Sequence, residues 1–494
     1  MEKDSRYCNN NNLYNCVFCM REKKWFNVSA IVFGIILVAF VGILSFFIVH
    51  DAEWLIGDDA IVINRTGWDV PFSIWDTIKP ELGRFFPLSY MHENIVLLFS
   101  GEMHSAQQHY YINAALFIIL TLSLICLLWK TINPNKFIDL CLIFFSVVLC
   151  ISRLYIMFLN VFSTTYCYLS LLSISLMLLF AFYTRNNIVY AILSLCCFIY
   201  CAFCGEKIFV VSLVLGFITL LLGYKQLNII QKYFNIGLVG ISVTFLGIYF
   251  FGIFLQKEGN IIYDPSHGTG ITFLENTINI LKGQKFLLFA AIVWLNRQIQ
   301  LLRKEDSYHI IYDSLLWTAG ANLVANLILR LNWQSYYYPA IIVALPAVVY
   351  FLNKYFGKIV TLIIIMLFAA LHSYKIPHII KSNQKDRTEN KEFVSYICDK
   401  YKQGDEVVWY DLDIVDPMSY DLVLREWKKN SLRTYIQFEL KDKKWQYTPY
   451  EGKKVGIILY PQENNSQGNK PPYLNIEPLK VVCGIELYEF TNCE

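Results

Sequence analysis

The sequence predicts a polytopic α-helical membrane protein that ends in a small extracytoplasmic α/β domain, and three observations predict it. Of 494 residues, 56% are hydrophobic and only 16% are charged. The mean hydropathy is +0.42, outside the range of ordinary soluble domains. Apolar stretches of bilayer-crossing length recur between residues 26 and 374 and then stop. The formal charge of +3 carries no nucleic-acid footprint, so the bilayer is the partner that composition requires. Aromatics make up 16%, with 33 Tyr and 36 Phe, which suits interfacial belts and a groove for sugar or lipid.

Residues 1–25 are polar, Asn-rich and expected to lack fixed structure; they end in Arg21, Lys23 and Lys24, which places the N-terminus in the cytoplasm. The first span, 25–50, is too long for a signal-peptide core and stays as an anchor. The first external loop, 51–108, carries Gly57-Asp58-Asp59, three Trp residues and a helical pattern over 88–99. Further spans are read at 110–129, at 137–158, between the turns 160–165 and 184–187, and at 188–204, 208–223 and 235–255. The rest are read at 285–301, 309–329, 340–352 and 359–374. That is about eleven crossings, with the C-terminus outside. Lys130/Lys136, Lys225/Lys232, Arg303/Lys304 and Lys354/Lys358 all fall in loops this topology places inside.

Beyond Pro377 the composition turns polar, and 375–494 is read as a soluble α/β domain. Helices are expected at 389–402 and 418–429, with strands at 406–410 and near 432–439, 454–460 and 478–490. Most cysteines, such as Cys126, Cys141, Cys150, Cys196 and Cys197, lie in apolar segments and act as small hydrophobes. Cys16 and Cys19 form a CxxC without further ligands at zinc spacing. A disulfide among Cys398, Cys483 and Cys493 is allowed if that region is extracytoplasmic, with the pairing open.

Charged residues at membrane level are costly, so those that the topology gathers on the outer side carry the functional reading. They are Asp58, Asp59, Arg84, His92, Glu93, His104, His109, Glu206, Lys207 and Arg330, with Tyr336, Tyr337 and Tyr338 beside them. Adjacent acids near a low-dielectric surface repel unless a cation, metal or substrate group compensates; the plain alternative is that Asp58 and Asp59 are solvated loop acids. Arg84 in Gly83-Arg84-Phe85-Phe86-Pro87-Leu88 suits a phosphate clamp, or snorkels. Arg153, near the outer end of the third span, allows the same two readings. Glu206 and Lys207 either cap their hairpin as an ion pair or serve a site. The three His lack helical ligand spacing with a carboxylate.

An acidic pair in a long first loop, then Gly-Arg-x-x-Pro-Leu, a His/Asn-bearing start to the second span, a Glu/Lys hairpin, and Arg before a Tyr-rich segment resemble the GT-C superfamily. These are polytopic glycosyltransferases that use polyprenyl-phosphate sugars. The pattern is most similar to transmembrane O-mannosyltransferases with tetratricopeptide tails, and more distantly to bacterial aminoarabinose and mannosyl transferases. The resemblance covers residues 26–374 and implies Asp58 as general base on the acceptor, with Asp59 orienting it or a divalent cation. It implies that His109 and Asn113 are the His and Asn that begin the second span, and that Arg330 with Tyr336–Tyr338 lies near the donor phosphate. Glu206-Lys207 reverses the family's Lys-Glu order, and 375–494 has no repeat of tetratricopeptide length.

The chemistry is consistent with the residues themselves. An acceptor hydroxyl needs a base within reach to attack an anomeric carbon, and Asp58 beside Asp59 supplies a carboxylate. A departing lipid phosphate needs donors screened from water, and Arg84, Lys207 and Arg330 are the candidates; a lone base favours inversion. The expected partners are a polyprenyl-phosphate-linked sugar, a glycan or lipid acceptor, and the bilayer of a bacterial cytoplasmic membrane. Two alternative functions carry different sequence signatures. A transporter or flippase of lipid-linked saccharides would place charges at the midplane within internal repeats. A polysaccharide polymerase or ligase would carry a late external loop with paired Arg, and 256–284 contains no Arg.

Overall fold

The computed structural model describes the backbone of residues 10–55, 70–80, 84–99, 105–161, 164–205, 207–256, 273–328 and 334–400, and a set of strands between 407 and 491. Side chains are described mainly between residues 27 and 396. Helix α1 (Asn10–Val49) runs for 40 residues; the helix therefore starts within the polar, Asn-rich N-terminal stretch, for which composition predicts no fixed structure. Instead of a regular helix over 88–99, a hairpin of β1 (Ile78–Lys79) and β2 (Arg84–Phe85) leads into a 3₁₀ turn at Met91–Glu93 and the short α2 (Asn94–Phe99).

The bundle continues through α3 (Ala106–Ile132), α4 (Phe137–Leu154), α5 (Thr164–Arg185), α6 (Ile188–Cys204), α7 (Ile208–Gly223) and α8 (Ile229–Gly252). It is completed by α9 (Phe273–Gly283), α10 (Lys285–Leu302), α11 (Ile310–Ile328), α12 (Tyr338–Ser373) and α13 (Ile376–Lys400). Among the described residues seven helices are long and apolar enough to cross a membrane, with two shorter apolar helices at Ile188–Cys204 and Ile208–Gly223. Their outward faces are apolar: Ile35, Val38, Leu221, Phe251 and Ile359 are each more than 60% exposed. A surface of that kind suits lipid and not water.

α12 is the axis of the bundle. Its 36 residues would span about 54 Å if straight, yet both ends reach the start of α10. Arg153 bonds the Gly283 carbonyl (3.0 Å) and lies over the Tyr338 ring, while Phe368 packs on Phe286 and Phe289. The helix must fold back, and it does so at Gly357, where φ 78° and ψ 169° describe a conformation open only to glycine. The first arm is buried on every face, from Ala340 at 0% to Phe351 at 0% exposure, because its residues are apolar around the full turn. Asp139 accepts from the Asn135 and Lys136 amides at the start of α4 and pairs with Lys358 (2.6 Å), which fastens the turn to the same end of the bundle.

α13 starts at Ile376, thirteen residues earlier than the polar composition suggested, and is fastened by Arg387. After it, β3 (Val407–Asp411), β4 (Thr434–Gln437), β7 (Val455–Pro461), β8 (Lys480–Val482) and β9 (Ile485–Thr491) form a five-stranded sheet in the order β4-β3-β7-β9-β8. β3 pairs in parallel with β4 and β7, and β9 is antiparallel to β7 and β8. A separate antiparallel pair joins β5 (Glu439–Lys441) and β6 (Lys444–Gln446). The expected helix at 418–429 and the side chains of Cys398, Cys483 and Cys493 lie outside the described residues.

Candidate functional site

At the end of the bundle opposite Gly357, polar side chains from the first long loop meet the starts of α3 and α5. Glu93, in the 3₁₀ turn, is 0% exposed, as are His109 one helical turn into α3 and Tyr166 near the start of α5. His109 Nδ1 donates to Glu93 Oε2 (2.7 Å), and the Tyr166 hydroxyl donates to Glu93 Oε1. With its single proton committed there, the Tyr166 oxygen accepts from His92 Nε2 (2.8 Å). Burial alone would raise the Glu93 carboxyl; the hydrogen bonds from His109 and His92, and their charges, hold it down at about 2. For His92 burial alone would favour the neutral ring, and neighbouring Cys167 and Glu93 outweigh it and raise the group to about 10. The result is a charged centre inside a protein interior, costly unless fully bonded.

Two flanking contacts connect this centre to other parts of the same end. Asn113, one turn beyond His109, bonds the Phe158 and Asn160 carbonyls (3.2 and 3.1 Å) through Nδ2, while its buried Oδ1 has no hydrogen-bond partner among the described residues. The Trp54 ring packs on His109 with centroids 5.1 Å apart. The turn between α6 and α7 lies alongside: the Leu88 amide bonds the Phe203 carbonyl (3.1 Å), and Cys204 Sγ reaches the Ser89 carbonyl (3.8 Å). Gly205 sits against Tyr168, whose Cδ1 would lie 2.7 Å from a Cβ at that position, so only glycine fits. Lys207 stands over the Tyr336 ring, 2.8 Å from its centroid.

The structure places the sequence-predicted residues as follows. His92, Glu93 and His109 are brought together through Tyr166, Asn113 stands one turn beyond His109 and bonds the Phe158 and Asn160 carbonyls, and Lys207 meets Tyr336, with Tyr337 buried next in the chain. Arg153 lies over Tyr338 at the same end. Arg84 lies in β2 opposite Lys79. Asp58, Asp59, His104, Glu206 and Arg330 lie outside the described residues, as does the side chain of Arg84. No group of three His, Cys, Asp or Glu is arranged to hold a metal among the described residues.

Sequence reasoning missed Tyr166, one of 33 tyrosines. It also missed a second charged centre, at the Gly357 end. There Arg297, 0% exposed, forks onto Asp313 (2.7 and 2.9 Å) and bonds Asp306, Tyr355 and the Ser307 carbonyl. Lys354 pairs with Asp306, and His309 bonds Tyr350 (2.9 Å). Burial would raise Asp306, but Lys354, the Ser307 amide and Arg297 hold it well below the usual carboxylate range. The signal that could have found it is a charged residue inside each of two consecutive apolar stretches, Arg297 and, sixteen residues on, Asp313.

No family model matches the chain, and no curated protein matches it. Among solved structures, ArnT from Cupriavidus metallidurans in the apo state matches at 12% identity and TM-score 0.49, covering 93% of this chain and 98% of that one. The same protein bound to undecaprenyl phosphate matches at 11% and 0.48, covering 92% and 97%. The Archaeoglobus fulgidus oligosaccharyltransferase in the apo form matches at 12% and 0.44, covering 79% of this chain and 64% of that one. At these identities and TM-scores the likeness fixes neither the activity nor the site residues of this chain.

Proposed function

We propose that this protein is a membrane glycosyltransferase that moves a hexose or pentose from a polyprenyl-phosphate carrier to a cell-envelope glycan or lipid acceptor. The reaction takes place at the His92 end of the bundle, which faces outward from a bacterial cytoplasmic membrane with the N-terminus inside and the C-terminus outside. α6, α7, α11 and the second arm of α12 then add to the long apolar helices to give eleven crossings. The observation that supports the reading most is the buried, ionised Glu93 with His92, His109 and Tyr166. It lies at the end of the bundle that also presents Lys207 over Tyr336 and Arg153 over Tyr338.

In this reading Asp58 takes the proton of the acceptor hydroxyl as its oxygen attacks the anomeric carbon, and Asp59 orients Asp58 or a divalent cation. The bond from that carbon to the phosphate oxygen breaks with inversion. Lys207, Arg84 and Arg330 stabilise the charge gathering on the lipid phosphate. His92, Glu93, His109 and Asn113 hold the loop and the start of α3 in register. Asp58→Asn should lower transfer from a polyprenyl-phosphate sugar by about 10²–10⁴-fold while the protein still inserts and folds. Undiminished transfer in that variant would overturn the assignment of the base.

A further inference from the structure

α13 follows the last membrane helix and belongs to a polar stretch with no catalytic motif, yet its polar side chains converge on the exit of α1 into the first loop and on the Leu159 carbonyl beside it. Arg387, 0% exposed, lies over the Tyr110 ring (4.3 Å) and donates to carbonyls at the end of α1, those of Phe47, Ile48 and His50 (3.4, 3.0 and 3.0 Å). It also reaches the Leu159 carbonyl (3.4 Å), which Asn383 shares (3.2 Å). One guanidinium thus satisfies the carbonyls that a helix end leaves without partners and ties them to the chain leaving α4. One turn further, Asn390, 3% exposed, bonds the Trp54 carbonyl (3.4 Å), and Lys391 pairs with Glu53 (2.6 Å).

The other side of this segment is equally constrained. Trp54 packs on His109, which Glu93 holds. Residues 47–54 are therefore fixed between α13 and the buried charged centre, over a span three residues short of Gly57-Asp58-Asp59. The same stretch also forms one wall of a cavity of about 640 Å³, lined by His50, Asp51 and Ala52 and, across from them, Gln107, Tyr111 and Ala114.

We infer that α13 is a positioning element of the reaction centre: Arg387, Asn390 and Lys391 set where the chain enters the acidic loop. The inference rests on the transferase reading, and concerns residues that the reading leaves unassigned. A small displacement of a catalytic group costs turnover without costing donor binding, so the effect belongs in kcat. Replacing Arg387 removes a buried charge and can prevent folding, so the exposed end of the clamp is the place to test it.

Lys391→Glu, Glu53→Lys and the charge-swapped double variant are compared in nanodiscs by two readouts. One is transfer from a polyprenyl-phosphate sugar, as kcat and donor KM. The other is the rate of chymotrypsin cleavage within residues 51–108. Each single variant should lower kcat about tenfold with donor KM unchanged and speed cleavage, and the swap should recover most of both. Unchanged cleavage in the single variants, or no recovery in the swap, would overturn the inference. Cleavage that follows the pair, in a protein that transfers no sugar, would sustain the clamp and remove the transferase reading.

Discussion

The two ends of the bundle each bury a charged cluster, and they differ in how completely its groups are bonded. At the Gly357 end Arg297 gives its N–H groups to Asp313, Asp306, Tyr355 and the Ser307 carbonyl, and Lys354 balances the second carboxylate. At the His92 end an ionised Glu93 is held by His109, Tyr166 and His92, and Asn113 Oδ1 beside it has no hydrogen-bond partner among the described residues. That centre also continues through Trp54 toward the acidic loop. A saturated network joins α10, α11 and α12 and can do little else. A centre with capacity left over, adjoining a loop rich in acids, is where chemistry is expected.

The largest expected contrast comes from removing one group at each end. Arg297→Met should destabilise by roughly 3–5 kcal/mol, because Asp313 is left buried without its partner. Thermal unfolding should report it, with turnover per folded molecule unchanged. Glu93→Gln should lower turnover by about 10²-fold in the same assay, since a displaced loop misplaces the reacting groups. If Arg297→Met proved the more damaging to turnover, the roles of the two ends would be exchanged.

Next in size are the pH responses of the His92 end. Glu93 is lowered to about 2 from 4.5, so its contribution to stability is present above 4.5 and is lost as pH falls toward 2. His92 is raised to about 10 from 6.5, so its contribution is present below 6.5 and is lost as pH rises toward 10. Melting temperatures should fall at both extremes, and His92→Gln should flatten the alkaline limb and, because His92 also helps hold Glu93 down, shrink the acid limb in part.

Smaller still, Gly357→Ala should cost about 1–3 kcal/mol through its backbone alone, with turnover per folded molecule unchanged. Smallest is Arg303→Ala, whose partner Glu305 is 3.9 Å away at an exposed site. It should move stability by less than about 0.5 kcal/mol.

The membrane helices were legible because apolar runs of bilayer length leave few other readings, and the fold-back of α12 was legible in Lys354 to Lys358 with a glycine between them. His92, Glu93 and His109 were legible as costly polar residues on one side of the topology, and Asn113 through the family resemblance. Tyr166 was not, since a tyrosine facing a carboxylate looks like any aromatic near an interface until the loop and α5 are seen to meet. Arg297 was concealed inside an apolar span, and its partner Asp313 lay in the following one. Arg387 was missed for a different reason: polar composition after Pro377 suggested a separate domain, whereas α13 uses that polarity to grip backbone carbonyls at the end of α1. Asp58 and Asp59, the residues on which the sequence reading turned, lie outside the described residues.

The most direct measurement is sugar transfer from a polyprenyl-phosphate donor by purified protein, with Asp58→Asn and Asp313→Asn assayed beside the unaltered chain and normalised to folded molecules. The account predicts that Asp58→Asn loses at least about 10²-fold while Asp313→Asn keeps the turnover of the unaltered chain. Equal turnover in Asp58→Asn and the unaltered chain, or loss confined to Asp313→Asn, would contradict it.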